Sequence, residues 1–264
     1  MRESFFIVPG RMGLAIFLLL CLGFPIQAED VQRPRKKPQI SPAVSEVPRK
    51  QHVKKRRRVS PATFYEARGP YPMTWPQEAI DLERANCRNI LQPLNVTYEF
   101  AEPIGGPDHC GSPAPVEVSV LAGVKIHPPA TLNCQFAARI HKWVRDRLQP
   151  AAKKHLGSRI TTMTNVSSYT CRKRRGSGSK RMSEHAYANA LDISVFAIKK
   201  GGKVSVEEEW GSDFFDRRNA QFLKSAHAGG CKTFSTFLGP DYNAAHANHF
   251  HMDFGRDGRG GICR

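Results

Sequence analysis

Two short segments of this chain are rich in the side chains that hold catalytic metal ions. They lie at residues 183–192 and 246–253, and their candidate ligands are His185, Asp192, His246, His249, His251 and Asp253. Such a group would be an unusual accident in a chain with only ten histidines. A mixed set of imidazoles and carboxylates, with three protein ligands and one open position, is expected of a catalytic zinc site. The two segments therefore predict a zinc centre suited to hydrolysis.

The second segment has the alternating pattern of a β-strand, which decides which side chains share a face. In a strand over residues 249–254, alternate residues lie on the same side. His249, His251 and Asp253 would therefore line a cleft, while the apolar residues between them would pack in the core. Asp253 could then orient a histidine ligand from behind, although an exposed strand carboxylate is an equally good interpretation.

A second strand, predicted over residues 191–198, places Asp192 on the face opposite its apolar neighbours. If the two strands are adjacent, Asp192 and His251 can reach one metal ion, and His185 can approach from the turn before the strand. Each residue alone has an ordinary alternative: a strand histidine is often a core or surface residue, and Asp192 could cap a turn or pair with an arginine. The combination of His-x6-Asp with His-x-His favours a bound metal.

The elements that must position these residues are three helices and several strands. Apolar spacing and turn residues predict helices over residues 76–94, 131–148 and 212–230, with Ser212 as an N-cap and Gly229-Gly230 as a stop. They predict strands over residues 96–100, 116–126, 160–171, 191–198 and 249–254. Helices segregated from short strands indicate an α+β domain with a largely antiparallel sheet.

The N-terminal part predicts export. Residues 1–28 place Arg2 and Arg11 before an apolar run and end at Ala28, the order of a secretory signal peptide. The alternatives are a retained anchor and, less favoured because Leu20 precedes Cys21, lipidation. We expect an exported, periplasmic protein.

Export determines how the cysteines are interpreted. Without Cys21, six of the seven remain: Cys87, Cys110, Cys134, Cys171, Cys231 and Cys263. In an exported chain they predict three disulfides, with fifteen possible pairings. A pair between Cys231 and Cys263 is expected, because it would fix the C-terminus to the preceding helix. A cysteine–zinc site is disfavoured, because the sequence has no Cys-x-x-Cys.

Composition separates a tail from a domain. Residues 29–60 carry eleven basic and three acidic side chains, about half of the net charge of +17. With its prolines and few large apolar residues, the segment 29–63 is predicted to be a disordered linker, followed by one domain over residues 64–264. The run Lys54–Arg58 could be a solvated spacer or could attract anionic envelope polymers. Behind a signal peptide, nucleic acid is not an expected partner.

At the two ligand segments the chain resembles known families. Ser183-x-His185-x3-Asn189-Ala190-x-Asp192 resembles the Ser-x-His-x-x-Gly-x-Ala-x-Asp signature of D-alanyl-D-alanine carboxypeptidases, and His246-x2-His249-x-His251 is similar to a motif of penicillin-insensitive murein endopeptidases. The bacterial extensin-like C-terminal family is more similar, over about residues 75–264. Its resemblance is carried by Ser168–Arg172, Ser183–Ala186, Leu238–Pro240 and Asn248–His251.

The resemblance implies the zinc fold shared by these peptidases, lysostaphin-type enzymes and hedgehog domains. It implies zinc ligands at His185, Asp192 and His251, a base or oxyanion stabiliser at His249 and a further cleft residue at His246. Substrate contacts would come from Ser183 and Arg172. Arg172 belongs to the basic segment 172–175, which could hold carboxylates and would be anchored by Cys171; a solvated basic loop is the alternative for Lys173 and Lys180.

Two positions depart from the carboxypeptidase pattern. Ala188 replaces a glycine, a mild change if the backbone there does not need a positive φ. Asn248 stands where those enzymes carry a glutamate base, which shifts the base role to His249. The implied activity is zinc-dependent cleavage of amide bonds in peptidoglycan stem peptides or crossbridges. The alternative is a non-catalytic zinc-containing module that binds peptidoglycan.

Overall fold

The structure is a computed structural model that describes residues 72–106, 110–174, 181–211, 217–255 and 261–264. The predicted signal peptide, the linker 29–63, the start of the domain at residue 64 and the proposed N-cap Ser212 lie outside the described residues. Within the described ranges, no helix is both long and apolar enough to cross a membrane.

Five α-helices are present in the part of the chain that the structure describes. Their bounds are α1 Gln77–Leu91, α2 Cys134–Trp143, α3 Gln149–Leu156, α4 Val206–Glu209 and α5 Arg217–Cys231. A π-helical turn, Val144–Leu148, joins α2 to α3. The second predicted helix therefore continues past Pro150, which lies in the first turn of α3, where a missing N–H is tolerated. Its start is later than predicted, because Asn133 caps α2 by accepting a hydrogen bond from the Phe136 N–H at 2.8 Å.

The third helix ends at Cys231, one residue later than predicted, so that Gly229 and Gly230 lie inside the last turn of α5. Close packing explains the two glycines. A Cβ on Gly230 would lie 2.2 Å from the ring of Phe237, and one on Gly229 would lie 2.7 Å from the Cβ of Arg147.

The strands form one sheet. Their bounds are β1 Val96–Phe100, β2 Val116–Leu121, β3 Val124–Leu132, β4 Ile160–Ser167, β5 Ala190–Ile198, β6 Lys203–Ser205, β7 Thr236–Leu238, β8 Phe250–Asp253 and β9 Ile262–Cys263. The order is β1-β2-β3-β4-β5-β8-β7-β9, and β6 also pairs with β5. The single strand predicted over 116–126 is a hairpin, because Ala122 and Gly123 both adopt positive φ and form a tight turn.

The class is α+β, and the sheet is largely antiparallel as predicted, although it is mixed and not purely antiparallel. The pairs β3–β4 and β7–β9 are parallel, and the other strand pairs are antiparallel. Helices α2 and α3 connect β3 to β4, and a helical crossover of this kind returns the chain in the same direction. The parallel pair therefore follows from the connection, which strand patterns alone do not show.

The core lies between the helices and one face of the central strands. Its largest fully buried side chains include Phe136, Trp143, Phe196, Phe222, Phe237 and Phe250. Along β8 and the first half of β5, from Leu191 to Ser194, buried apolar residues alternate with polar ones, so the opposite face carries His251 and Asp192. Packing of the aromatic face therefore fixes the side of the sheet on which the polar residues lie.

Three disulfides fasten the domain. They join Cys87 to Cys134, Cys110 to Cys171 and Cys231 to Cys263. The expected pair between Cys231 and Cys263 is confirmed, and it fastens β9 to the end of α5.

Candidate metal centre

His185, Asp192 and His251 converge on one point. His185 Nε2 lies 3.2 Å from His251 Nδ1 and 3.3 Å from Asp192 Oδ1. His251 Nδ1 lies 2.8 Å from the same oxygen. Two donors of a tetrahedral zinc ion, each about 2.0–2.1 Å from the metal, are separated by about 3.3 Å. The donor separations therefore fit a three-ligand zinc site.

Hydrogen bonds on the outer side of each imidazole set the direction of its lone pair. His185 Nδ1–H donates to the carbonyl oxygen of Ser168, and His251 Nε2–H donates to Asp253 Oδ2 at 3.0 Å. In each neutral ring the remaining nitrogen is an acceptor. In that state the lone pairs of the two rings and the Asp192 carboxylate face one another. Three facing acceptors need a cation or a proton between them. Such outer partners are typical of histidines that bind metal.

In the metal-free protein this convergence perturbs two ionisable groups. Burial lowers the pKa of His251, but its hydrogen bonds to Asp192 and Asp253 and their charges outweigh burial and raise the pKa to about 9. Burial raises the pKa of Asp192, but its hydrogen bonds and charge interactions with His185 and His251 outweigh burial and hold the pKa far below its usual range. Asp192 therefore stays ionised, and His251 carries at neutral pH a proton that a bound metal ion would replace.

His185 is held by a short 3₁₀ turn, Glu184–Tyr187, which is fixed from two sides. On one side, Asn133 at the start of α2 donates its N–H to the Ala188 carbonyl at 2.7 Å. On the other, the Thr170 N–H donates to the His185 carbonyl at 3.2 Å, next to the Cys110–Cys171 disulfide. The side chain of His185 is fully buried, so its ring has little freedom.

Ala188 ends this turn in the left-handed region, at φ 52° and ψ 31°. The expectation of a mild change depended on a backbone that does not need a positive φ. Ala188 does adopt a positive φ, which an alanine tolerates less well than a glycine. The conformation is maintained by hydrogen bonds from the Ala188 N–H to the carbonyl oxygens of Glu184 and His185.

His249 and His246 lie beside the donor triad. His249 immediately precedes β8, and its Nε2 lies 3.8 Å from Asp192 Oδ2. Its Nδ1–H donates to Asn248 Oδ1 at 2.8 Å, which leaves Nε2 as an acceptor. The ring centre of His246 lies 5.3 Å from that of His249. Burial and the nearby His251 and His249 lower the pKa of His246 to about 4, so it is neutral at pH 7.

The remaining predicted site residues line the same cleft. Ser183 is buried at the wall of the cleft, and its N–H donates to the Arg172 carbonyl at 3.0 Å. The side chain of Arg172 also lines the cleft. Asp253 is buried behind His251. Of the basic loop, Lys173 and Arg174 are described, whereas Arg175 and Lys180 lie outside the described residues.

Sequence reasoning missed a polar group that supports the His185 turn. Asn189 Nδ2 donates to Glu184 Oε2 at 2.9 Å, and Asn133 Nδ2 donates to Asn189 Oδ1 at 3.2 Å. Glu184 is buried, lines the cleft and pairs with Arg174 at 3.6 Å. The signal was available, because Glu184 and Asn189 both lie inside the Ser183–Asp192 motif. Their contact with Asn133 is not visible in the sequence.

The cleft has a volume of about 680 Å³ and crosses five strands, from β4 through β5, β8 and β7 to β9. Polar and ionisable side chains surround the triad, and Val166, Leu238, Tyr242 and Ile262 add apolar surface. A concave site with convergent polar groups and perturbed pKa values is a common setting for catalysis.

Comparison with known proteins gives one match. The model of a family described as "Extensin-like protein C-terminus" matches residues 85–264, which include both ligand segments. No curated protein and no solved structure matches the chain.

Proposed function

The chain belongs to the extensin-like protein C-terminal family, and from this membership and the geometry of the cleft we propose that the domain is a zinc-dependent peptidase of peptidoglycan. We further propose that it is exported to the periplasm and shares the zinc fold of D-alanyl-D-alanine carboxypeptidases and hedgehog domains. The observation that carries the proposal is the convergence of three potential ligand atoms, from His185, Asp192 and His251, at separations of 2.8–3.3 Å.

The residues of the site divide the work. His185 Nε2, Asp192 Oδ1 and His251 Nδ1 would hold zinc, which when bound polarises the scissile carbonyl and lowers the pKa of water. His249 Nε2, which lies 3.8 Å from Asp192 Oδ2, would take a proton from the attacking water. Asp253 and the Ser168 carbonyl keep the two ligand rings in the required tautomers.

Substrate contacts would come from the wall that carries Ser183 and Arg172. A guanidinium group suits the carboxylates of stem peptides, because its planar fork matches their geometry. Arg172 lines the cleft and directly follows Cys171, which is fastened to Cys110 by a disulfide. We assign the carboxylate contact to Arg172.

A non-catalytic zinc module is the second candidate, and one distance favours it. His249 Nε2 is only 3.8 Å from Asp192 Oδ2, so a small shift would make His249 a fourth ligand. Four protein ligands close a zinc site, whereas catalysis needs an open position. The two candidates therefore differ in whether His249 binds the metal.

The experiment is incubation of the mature zinc-loaded protein with purified muropeptides, with and without a chelator. New cleavage products that disappear on chelation and return with zinc are the expected result. The His251→Ala variant should give no products, whereas His155→Ala, which changes a histidine away from the cleft, should retain activity. Intact muropeptides in the presence of stoichiometric zinc would favour the binding module instead.

A further inference from the structure

Exposed apolar side chains are concentrated at the cleft. Among the described residues, five large hydrophobic side chains are exposed, and three of them line this cleft: Val166 (53 %), Tyr242 (40 %) and Ile262 (45 %). Single exposed hydrophobic residues need no explanation, but a group inside a concave polar site marks a contact surface for a ligand.

The pairing register places the metal donors in the middle of the cleft. Ser167 on β4 pairs with Asp192 on β5, Asp192 pairs with His251 on β8, and His251 pairs with Leu238 on β7. Adjacent strands are about 4.8 Å apart, so this row spans about 14 Å, and β9 extends the surface by about 5 Å. An extended peptide of about five or six residues has the same length.

Apolar contacts are available on both sides of the donors. Val166 extends the surface on the β4 side, and Ile262 extends it on the far side, where β9 pairs with β7 through Thr236 and Ile262. A site that removes one terminal residue needs a long surface on only one side of the cut bond. Here exposed apolar surface is present at both ends, so both products of the cut have a place to bind.

We propose that the substrate is an extended peptide that continues on both sides of the cut amide, as in a crosslinked pair of stem peptides. This inference rests on the proposed function. The reaction is hydrolysis of an internal amide: the C–N bond breaks, the water oxygen bonds to the carbonyl carbon, and the amine nitrogen takes a proton. Val166 and Ile262 are the specificity-determining contacts at the two ends.

The test compares two substrates with the zinc-loaded wild-type protein: a crosslinked muropeptide dimer, and an uncrosslinked muropeptide that ends in D-alanyl-D-alanine. The expected result is conversion of the dimer to monomers without release of free alanine. Release of alanine from the monomer while the dimer stays intact would overturn the inference and leave the proposed peptidase function standing.

Variants at the two ends sharpen the test. Val166→Ser and Ile262→Ser should each raise KM for the dimer about three- to tenfold, with kcat and bound zinc unchanged, because an apolar contact to substrate is lost. Leu82→Ser is the matched control, since Leu82 is exposed (48 %) but does not line the cleft. An unchanged KM in both end variants would argue against the assignment.

A binding measurement separates this inference from the question of catalysis. The zinc-loaded His249→Ala variant should bind the crosslinked dimer at least about tenfold more tightly than the monomer, because only the dimer reaches both ends. Equal affinities would overturn the inference whether or not the wild-type protein cleaves anything. Tighter binding of the dimer without any cleavage by the wild type would support the two apolar contacts at the ends of the cleft and refute the peptidase.

Discussion

Within the described residues, two groups of three metal-ligating side chains place their donor atoms within 4.8 Å of one another. One is the triad of His185, Asp192 and His251. The other is His227 with Cys231 and Cys263, whose sulfur atoms are bonded to each other. A disulfide sulfur is not a thiolate and does not act as the metal ligand that a cysteine thiolate is. The second group is therefore a structural fastening.

The surroundings of the histidines reinforce the difference. His227 Nε2–H donates to the Arg264 carbonyl at 2.9 Å, as His185 Nδ1–H donates to the Ser168 carbonyl. The other ring nitrogen of His227, Nδ1, faces Cys231 Sγ at 3.7 Å. Burial lowers the pKa of His227 despite that hydrogen bond. In the triad the third group is the Asp192 carboxylate, which contacts both rings, whereas the His227 group has two disulfide sulfurs instead. Proximity alone does not make a site; an ion also needs available lone pairs and a charge that attracts it.

The largest effect should come from removing one ligand of the triad. His251→Ala leaves only two ligands, so bound zinc, measured by metal analysis after dialysis, should fall from one equivalent to near zero. His227→Ala should retain the metal. Equal metal loss in both variants would contradict the assignment of the metal to the triad alone.

Removal of the proposed base should affect turnover and spare the metal. His249→Ala is expected to lower kcat by about 10²–10⁴-fold, the usual contribution of a general base, with one zinc still bound. The measurement is steady-state cleavage alongside metal content. Loss of zinc together with activity would identify His249 as a fourth ligand.

Opening the disulfide should affect stability and spare the metal. The double variant Cys231→Ala/Cys263→Ala is expected to lose about 3–4 kcal/mol of unfolding free energy, since the bond closes a long loop. Urea titration of the zinc-loaded protein measures this loss, with zinc content as the control. A fall in bound zinc without a fall in stability would mean that the cysteine group holds metal.

A smaller effect is expected behind the triad. Asp253→Asn keeps the shape of the side chain but removes the charge that supports His251, so zinc affinity should fall about 10–100-fold. Competition with a chromophoric chelator measures the change. An unchanged zinc affinity would mean that Asp253 does not support His251 in metal binding.

The stability of the chelated, metal-free protein should also depend on pH. The pKa of His251 is raised to about 9 in the folded state, above its value of about 6.5 in the unfolded chain. Its contribution to stability is therefore fully present below pH 6.5 and is lost as the pH rises through 9. Zinc binding needs neutral imidazoles, so zinc should reverse this trend. Urea titrations at pH 6 and pH 9, with and without zinc, test both signs.

Several elements were predictable because their signals are local. Alternation along residues 249–254 separates Phe250 and Met252 from His251 and Asp253, and the structure places the first pair in the core and the second at the cleft. The helix around residues 77–91 likewise follows from its apolar spacing. The hairpin turn at Ala122-Gly123 was missed because an alanine at positive φ gives no clear turn signal.

The sequence by itself determined the donor types, the strand alternation that presents them and the expected bond between Cys231 and Cys263. Only the tertiary structure decided that Asp192 lies opposite His251, 59 positions further along the chain, and that β3 and β4 run parallel. It also decided that the Ser168 carbonyl accepts from His185 Nδ1–H and that Asp253 accepts from His251 Nε2–H. The physical reason is that alternation repeats every two residues, whereas register between distant strands depends on how the whole core packs.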